Sequence, residues 1–190
     1  MDLCNREAKV VLDPTLLIGH DFWLSLLESK YKKPFKKYIF CYIFSNKQKY
    51  NDYLKKIQKE TKLPIIYMGV SNLSYDGLDA LKKETVGPLE FLQLLKNAEY
   101  VITDSFHGTA FSLIFNKDFY VFKRERVGEV INMFSRIESI LSSVNLEDRL
   151  VSIDEPFEIK ESINYMMVNN NLEQLRKSSL EYLRNALTDD

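Results

Sequence analysis

Tyr100-Val101-Ile102-Thr103-Asp104-Ser105-Phe106-His107-Gly108-Thr109-Ala110-Phe111-Ser112-Leu113-Ile114-Phe115 decides the fold. Its first four residues form a short, β-branched apolar run, as expected of a strand covered on both faces. Polar Asp104, Ser105 and His107 interrupt that run, and Ala110–Phe115 then reads as an apolar helix opening at Gly108-Thr109. A strand passing through a polar junction into a helix is the repeating unit of a parallel sheet.

The same unit recurs on either side. Tyr38–Phe44 and Ile65–Met68 read as buried strands, and residues 47–61 between them carry Tyr50, Tyr53, Leu54 and Ile57 at helical spacing. Ser71 to Gly87 reads as a long polar loop, of the sort that often serves a site. Gly87-Pro88 opens a helix with Phe91, Leu92, Leu94 and Leu95 on its apolar side, and Asn97-Ala98-Glu99 ends it. Downstream, Asp118–Phe122 is a fourth strand. A helix around 129–142 then turns Val130, Met133, Phe134, Ile137 and Leu141 inward, and two further helical stretches close the chain. Before the first strand, Lys9–Leu17 reads as a short strand or connector stopped at Asp13-Pro14, and Asp21 as the cap of a helix bearing Phe22, Trp23, Leu26 and Leu27. The fold class is therefore α/β, a parallel sheet with helices on both faces. One domain is expected over 1–190, with its core over about 10–150 and helices over 151–190.

Composition narrows the function classes. Lys+Arg 26 against Asp+Glu 27 leaves a net charge of -1, which argues against a dedicated nucleic-acid binder. The longest apolar runs fall far short of the roughly 20 residues needed to span a bilayer. Met1 to Arg6 lacks the layout of a secretory signal, and Cys4 and Cys41 form neither a disulfide framework nor a metal knuckle. A cytoplasmic globular domain without a metal is expected. The lysines at 30, 32, 33, 36 and 37 read as a solvated connector, with peripheral contact to an anionic surface as the sharper alternative.

Ligands of parallel sheets bind at the carboxyl ends of the strands, where strand order reverses. Asp104, Ser105 and His107 stand at such an end, and a helix opening at Gly108-Thr109 would aim free N–H groups at an anion. An imidazole beside that anion can move a proton near neutral pH. The competing reading has Asp104 and Ser105 only capping the helix and His107 bonded to backbone. Ser105, His107 and Asp104 do not form a hydrolase triad, because neighbours in one turn do not line up and no G-x-S-x-G elbow is present. No G-x-G-x-x-G or Walker motif supports a nicotinamide or ATP-hydrolysing site. His20, in a Gly-His-Asp turn, reads as a surface or capping residue. Arg124, Arg126, Arg136 and Arg149 are candidate anion ligands, each with a surface ion pair as the alternative.

Several of these segments together carry a resemblance. Val11-Leu12-Asp13-Pro14-Thr15-Leu16-Leu17 followed by Trp23, Pro88 to Leu92, Asn97 to Phe111, Arg136 with Ile140-Leu141, Leu146-Glu147-Asp148-Arg149 and Arg176 to Leu183 resemble the polysaccharide pyruvyl transferase family. The likeness runs over about 10–188 and is most specific at Asp104–Phe111. It implies a glycosyltransferase-B-like architecture of two Rossmann-like domains facing a cleft. This chain resembles the carboxyl-terminal domain, and the family's amino-terminal half, where most of the acceptor sugar should bind, is expected to be absent. Some relatives carry an arginine two residues before the histidine, where this chain has Ser105.

The resemblance implies transfer of pyruvate from phosphoenolpyruvate to a saccharide of a cell-surface polysaccharide precursor, forming a ketal. It makes His107 the catalytic acid/base. Ser105, Gly108, Thr109, Arg124 and Arg136 would bind the donor, and Asp104 would be structural or a cap. No cofactor is implied beyond the donor substrate. Two readings stay open beside it: a transferase of the same architecture using a nucleotide-sugar, and a non-catalytic half-domain that binds a partner. A facing domain or a second copy is the expected macromolecular partner.

Overall fold

A computed structural model of the chain describes residues 9–27, 34–45, 48–68, 72–123, 134–152 and 156–188. In chain order the elements are α1 (Pro14–Leu17), α2 (His20–Ser25), β1 (Ile39–Tyr42), α3 (Lys49–Thr61), β2 (Ile65–Met68), β3 (Ala80–Lys83), α4 (Pro88–Asn97), β4 (Tyr100–Thr103), α5 (Phe106–Ile114), β5 (Asp118–Phe122), α6 (Ser135–Ser143), a 3-10 turn (Glu147–Arg149), β6 (Leu150–Val151) and α7 (Tyr165–Thr188). The six strands are parallel and lie in the order β3-β2-β1-β4-β5-β6. This is the doubly wound, Rossmann-like arrangement, and its direction reverses between β1 and β4. None of the described helices is long and apolar enough to cross a membrane.

Burial on both faces explains why the strands read as continuous apolar runs. Along β1, Phe40 joins one core with Leu16, Leu94, Phe111 and Leu141, while Ile39 and Cys41 join a second core with Tyr50, Leu54 and Ile57. In β5, Phe119 and Val121 point to the first core, and Tyr120 and Phe122 to the second. Period-2 alternation thus survives, but both phases are apolar because each faces a helix layer. The first face is packed by side chains of α1, α4, α5, α6 and α7, whereas α3 supplies the helix packing on the other.

Four expectations change. Ser71–Gly87 is not a bare loop, since its Ala80–Lys83 part pairs with β2 as the edge strand β3. An edge strand buries little, so Ala-Leu-Lys-Lys carries no apolar signal. Pro14 does not stop a strand but opens the helical turn α1, which Asp13 caps. Asp21 lies within the first turn of α2, whose N-cap is Gly19. The closing part of the chain, read as helical only, also holds the short strand β6, which lies between the 3-10 turn Glu147–Arg149 and the long helix α7. The expected helix 129–142 is seen as α6 from Ser135 onward, and Val130 and Met133 lie outside the described residues.

The junction between β4 and α5 is built on a close approach. A Cβ placed on Gly108 would lie 2.3 Å from the Thr103 Oγ1 atom and 2.9 Å from its Cβ. Thr103 cannot yield, because its hydroxyl donates to the Tyr42 carbonyl and accepts the Ser105 N–H. Only glycine lets α5 lie this near the strand that feeds it. Gly108→Ala should therefore cost about 1–3 kcal/mol through overpacking. Urea unfolding would read this, and a variant as stable as the parent protein would show that α5 can shift without penalty.

Candidate functional site

The crevice where strand order reverses is pinned by a single carboxylate. Asp104, buried just past β4, accepts N–H groups from Phe44 (2.8 Å) and Ser45 (2.7 Å), just past β1. Ser105 follows as the N-cap of α5, its hydroxyl accepting the Gly108 N–H at 3.5 Å. The helix consequently starts at Phe106, two residues before the expected opening at Gly108-Thr109. A capping serine accepts from the third residue after it, so the helix must begin between the two.

Gly108 and Thr109 are buried in the first turn. The Thr109 N–H and hydroxyl both donate to the Ser105 carbonyl, each at 3.0 Å. The first N–H groups of a helix have no intrahelical acceptor, and the first two of α5 are those of Phe106 and His107. His107 itself is exposed.

Arg136, in the first turn of α6, joins this junction. Its guanidinium carbon lies 4.0 Å from the centre of the Phe106 ring, and the His107 ring is 5.6 Å from the same ring. Its Nη2 donates to the Asp13 carboxylate at 2.7 Å, with Arg136 57% and Asp13 15% exposed. The other Asp13 oxygen accepts the N–H (3.0 Å) and hydroxyl (2.7 Å) of Thr15. A cavity of about 450 Å³ opens beside the pair, lined by Leu12, Asp13, Phe106, Arg136, Ser139 and Ser179 among others. That volume suits a small metabolite. The arrangement offers an exposed proton carrier and a stacked guanidinium with an open rim, which can hold an anion while a proton moves beside it.

The other candidates fall elsewhere. Arg124 and Arg126, and the lysines at 30, 32 and 33, lie outside the described residues. Arg149 is 5% exposed in the turn before β6 and donates to the Glu161 carbonyl, away from the crevice. His20 is exposed on α2 and contacts Asp21. Asp13 is the site residue that sequence reasoning missed. Asp-Pro reads as a strand breaker, yet Asp-Pro-Thr also places a cap, a first-turn proline and a second hydroxyl in register, which was the available signal.

The sequence model of the polysaccharide pyruvyl transferase family matches residues 2–126, a stretch holding Asp13 and His107 but not Arg136. No curated protein matches the chain. Among solved structures, the UDP-GlcNAc 2-epimerase from Methanocaldococcus jannaschii is similar with a TM-score of 0.42 and 15% identity, over 80% of this chain and 41% of that one. The same organism's epimerase in complex with UDP-GlcNAc and UDP gives 0.42 and 16%, over 86% and 42%. The chain thus spans less than half the length of these structures, and the likeness says nothing of its chemistry.

Burial pushes the Asp13 carboxyl pKa up, but the Thr15 hydroxyl and N–H, with the charges of His107 and Arg136, outweigh it and leave the group below its ordinary 3.8. A carboxyl lowered on folding stabilises the native state above its unfolded value, and that contribution is lost as pH falls through the folded one. Asp13→Asn should therefore be less stable than the parent protein at about pH 6, and the gap should narrow as the pH falls below 3.8 toward the lowered folded value. Urea unfolding across that range checks this. A gap of constant size would mean that the carboxylate's charge contributes nothing.

Proposed function

The chain belongs to the polysaccharide pyruvyl transferase family, and from that membership we propose that it carries the donor side of a pyruvyl transfer from phosphoenolpyruvate to a saccharide. The observation that carries the reading is that the exposed His107, at the carboxyl edge of a parallel sheet, and the guanidinium of Arg136 both lie against the Phe106 ring.

The chemistry needs one proton carrier and one anion holder. Protonation of the donor's methylene carbon turns it into a methyl group and leaves the adjacent carbon cation-like. A sugar hydroxyl attacks that carbon, phosphate departs with the bridging oxygen, and a second hydroxyl closes the ketal. Of the two hydroxyl protons released, one balances the proton given to carbon and the other leaves on phosphate. His107 is the group assigned to deliver and recover protons, a role for which imidazole is suited near neutral pH. Arg136 is assigned the carboxylate or phosphate, with the Phe106 and His107 N–H groups as supporting donors. The Ser105 hydroxyl borders this position from its capping bond. Gly108 sets the helix close to the strand, and Thr109 secures the first turn, so both act on the donor indirectly. Arg124 is kept as a further donor ligand. The rest of the acceptor's surface would come from a facing domain or chain.

Calorimetric titration with phosphoenolpyruvate tests the reading, with a uridine nucleotide-sugar as the comparison ligand. Saturable binding of phosphoenolpyruvate is expected, weakened in Arg136→Ala and largely kept in His107→Ala. With an accepted saccharide, His107→Ala should lower phosphate release by about 10²–10⁴-fold. Binding of the nucleotide-sugar alone would move the assignment to glycosyl transfer.

A further inference from the structure

Asp13 lies on the amino-terminal side of the sheet in sequence, yet it meets a side chain 123 residues away at 2.7 Å. Its backbone is fastened on both sides. The preceding residue, Leu12, donates its N–H to the Ser179 hydroxyl of α7 at 3.0 Å. Past it, the Leu16 carbonyl accepts the Arg176 Nε–H at 3.0 Å, and the Thr15 carbonyl accepts the Trp23 indole N–H at 3.1 Å. Leu16 is fully buried in the first core. The carboxylate is then oriented by Thr15, which holds Oδ1 and leaves Oδ2 directed at Arg136.

An ion pair whose arginine is more than half exposed adds little to stability, roughly 0–1 kcal/mol. What it does supply is direction. Arginine carries five N–H donors in a rigid plane. Asp13 takes a corner of that plane and the Phe106 ring covers a face. No further acceptor for the guanidinium stands among the described residues, so its remaining edge is left to a ligand.

We propose that Asp13 is the positioning residue of this site: it clamps Arg136 through Nη2 so that the opposite edge of the guanidinium faces an incoming anion beside His107. The inference rests on the donor reading for the identity of that anion, though not for the clamp itself. Asp13 touches Arg136 and does not touch the reacting atoms. It also competes with no donor oxygen, because a guanidinium can donate to a carboxylate at one corner and to a second anion along its other edge.

Two substitutions isolate the clamp from the helix cap. Asp13→Asn keeps an oxygen for Thr15, and Asp13→Ser keeps an N-cap hydroxyl, while both remove the charge facing Arg136. The direct readout is the rate at which phenylglyoxal modifies Arg136, followed by mass spectrometry in the absence of any ligand. Both variants should be modified severalfold faster than the parent protein, and Asp13→Glu should recover part of the protection. Melting temperature, measured alongside, shows that each variant is folded. Calorimetry with phosphoenolpyruvate then asks whether orientation matters for binding. Asp13→Asn should raise the Kd by on the order of tenfold, and should change it little when Arg136→Ala is already present. Unchanged modification rates in both folded variants would overturn the proposal, as would an equal loss of affinity in both backgrounds. Faster modification in a protein that binds no phosphoenolpyruvate would uphold the clamp and reject the donor reading.

Discussion

Asp104 sits where β1 and β4 hand the chain over to opposite faces of the sheet, and both of its oxygens accept backbone N–H groups from beyond β1. The Phe44 and Ser45 N–H groups lie past the paired length of β1 at partly buried positions, where an unmet donor costs up to about 1–3 kcal/mol. A carboxylate meets two such donors at once, which a neutral side chain does less well. The Thr103 hydroxyl adds a third tie, to the Tyr42 carbonyl. With β1 and β4 locked in this way, Ser105 is placed to cap α5, Gly108 is pressed against Thr103, and the His107 ring is carried to the crevice mouth. The β4–α5 junction, and with it the position of His107, depends on that carboxylate.

The site is accordingly a meeting of three segments that the sheet alone does not bring together. α5 supplies His107 and the stacking ring of Phe106, α6 supplies Arg136, and the turn before α1 supplies Asp13. None of the contacts among them is strong by itself. Their value is in limiting how many orientations a long, charged side chain can take, which reduces what a ligand must order when it binds. Membership in the polysaccharide pyruvyl transferase family gives this small constellation a context.

The central strands could be read from the chain because burial on two faces leaves an unmistakable apolar run. Ile65–Met68 and Asp118–Phe122 have the bounds expected of them, and Tyr38–Phe44 shortens only to Ile39–Tyr42. The edge is another matter. β3 is held by backbone hydrogen bonds to β2 and exposes Leu81, so its side chains carry no instruction that pattern reading can find. At β6, two residues give too little length for any period. The site was legible in the same uneven way. His107 stands at a strand-to-helix junction, a place that local sequence reveals. The partnership of Asp13 with Arg136 is a tertiary event between distant segments, and neither residue's neighbours hint at the other.

α7 carries a kinetic implication. Its Ser179 and Arg176 hold the turn that presents Asp13, although all six strands precede it in the chain. During synthesis, the sheet can assemble as soon as β6 has emerged, and the Asp13 turn can already pack on α5, whereas its bonds to Ser179 and Arg176 wait until α7 follows. Domains begin to fold as they leave the ribosome. Sheet and turn are thus completed at different times: a nascent chain can own a finished sheet, with Asp104 and Gly108 already in place, while the turn bearing Asp13 still lacks its bonds to Ser179 and Arg176.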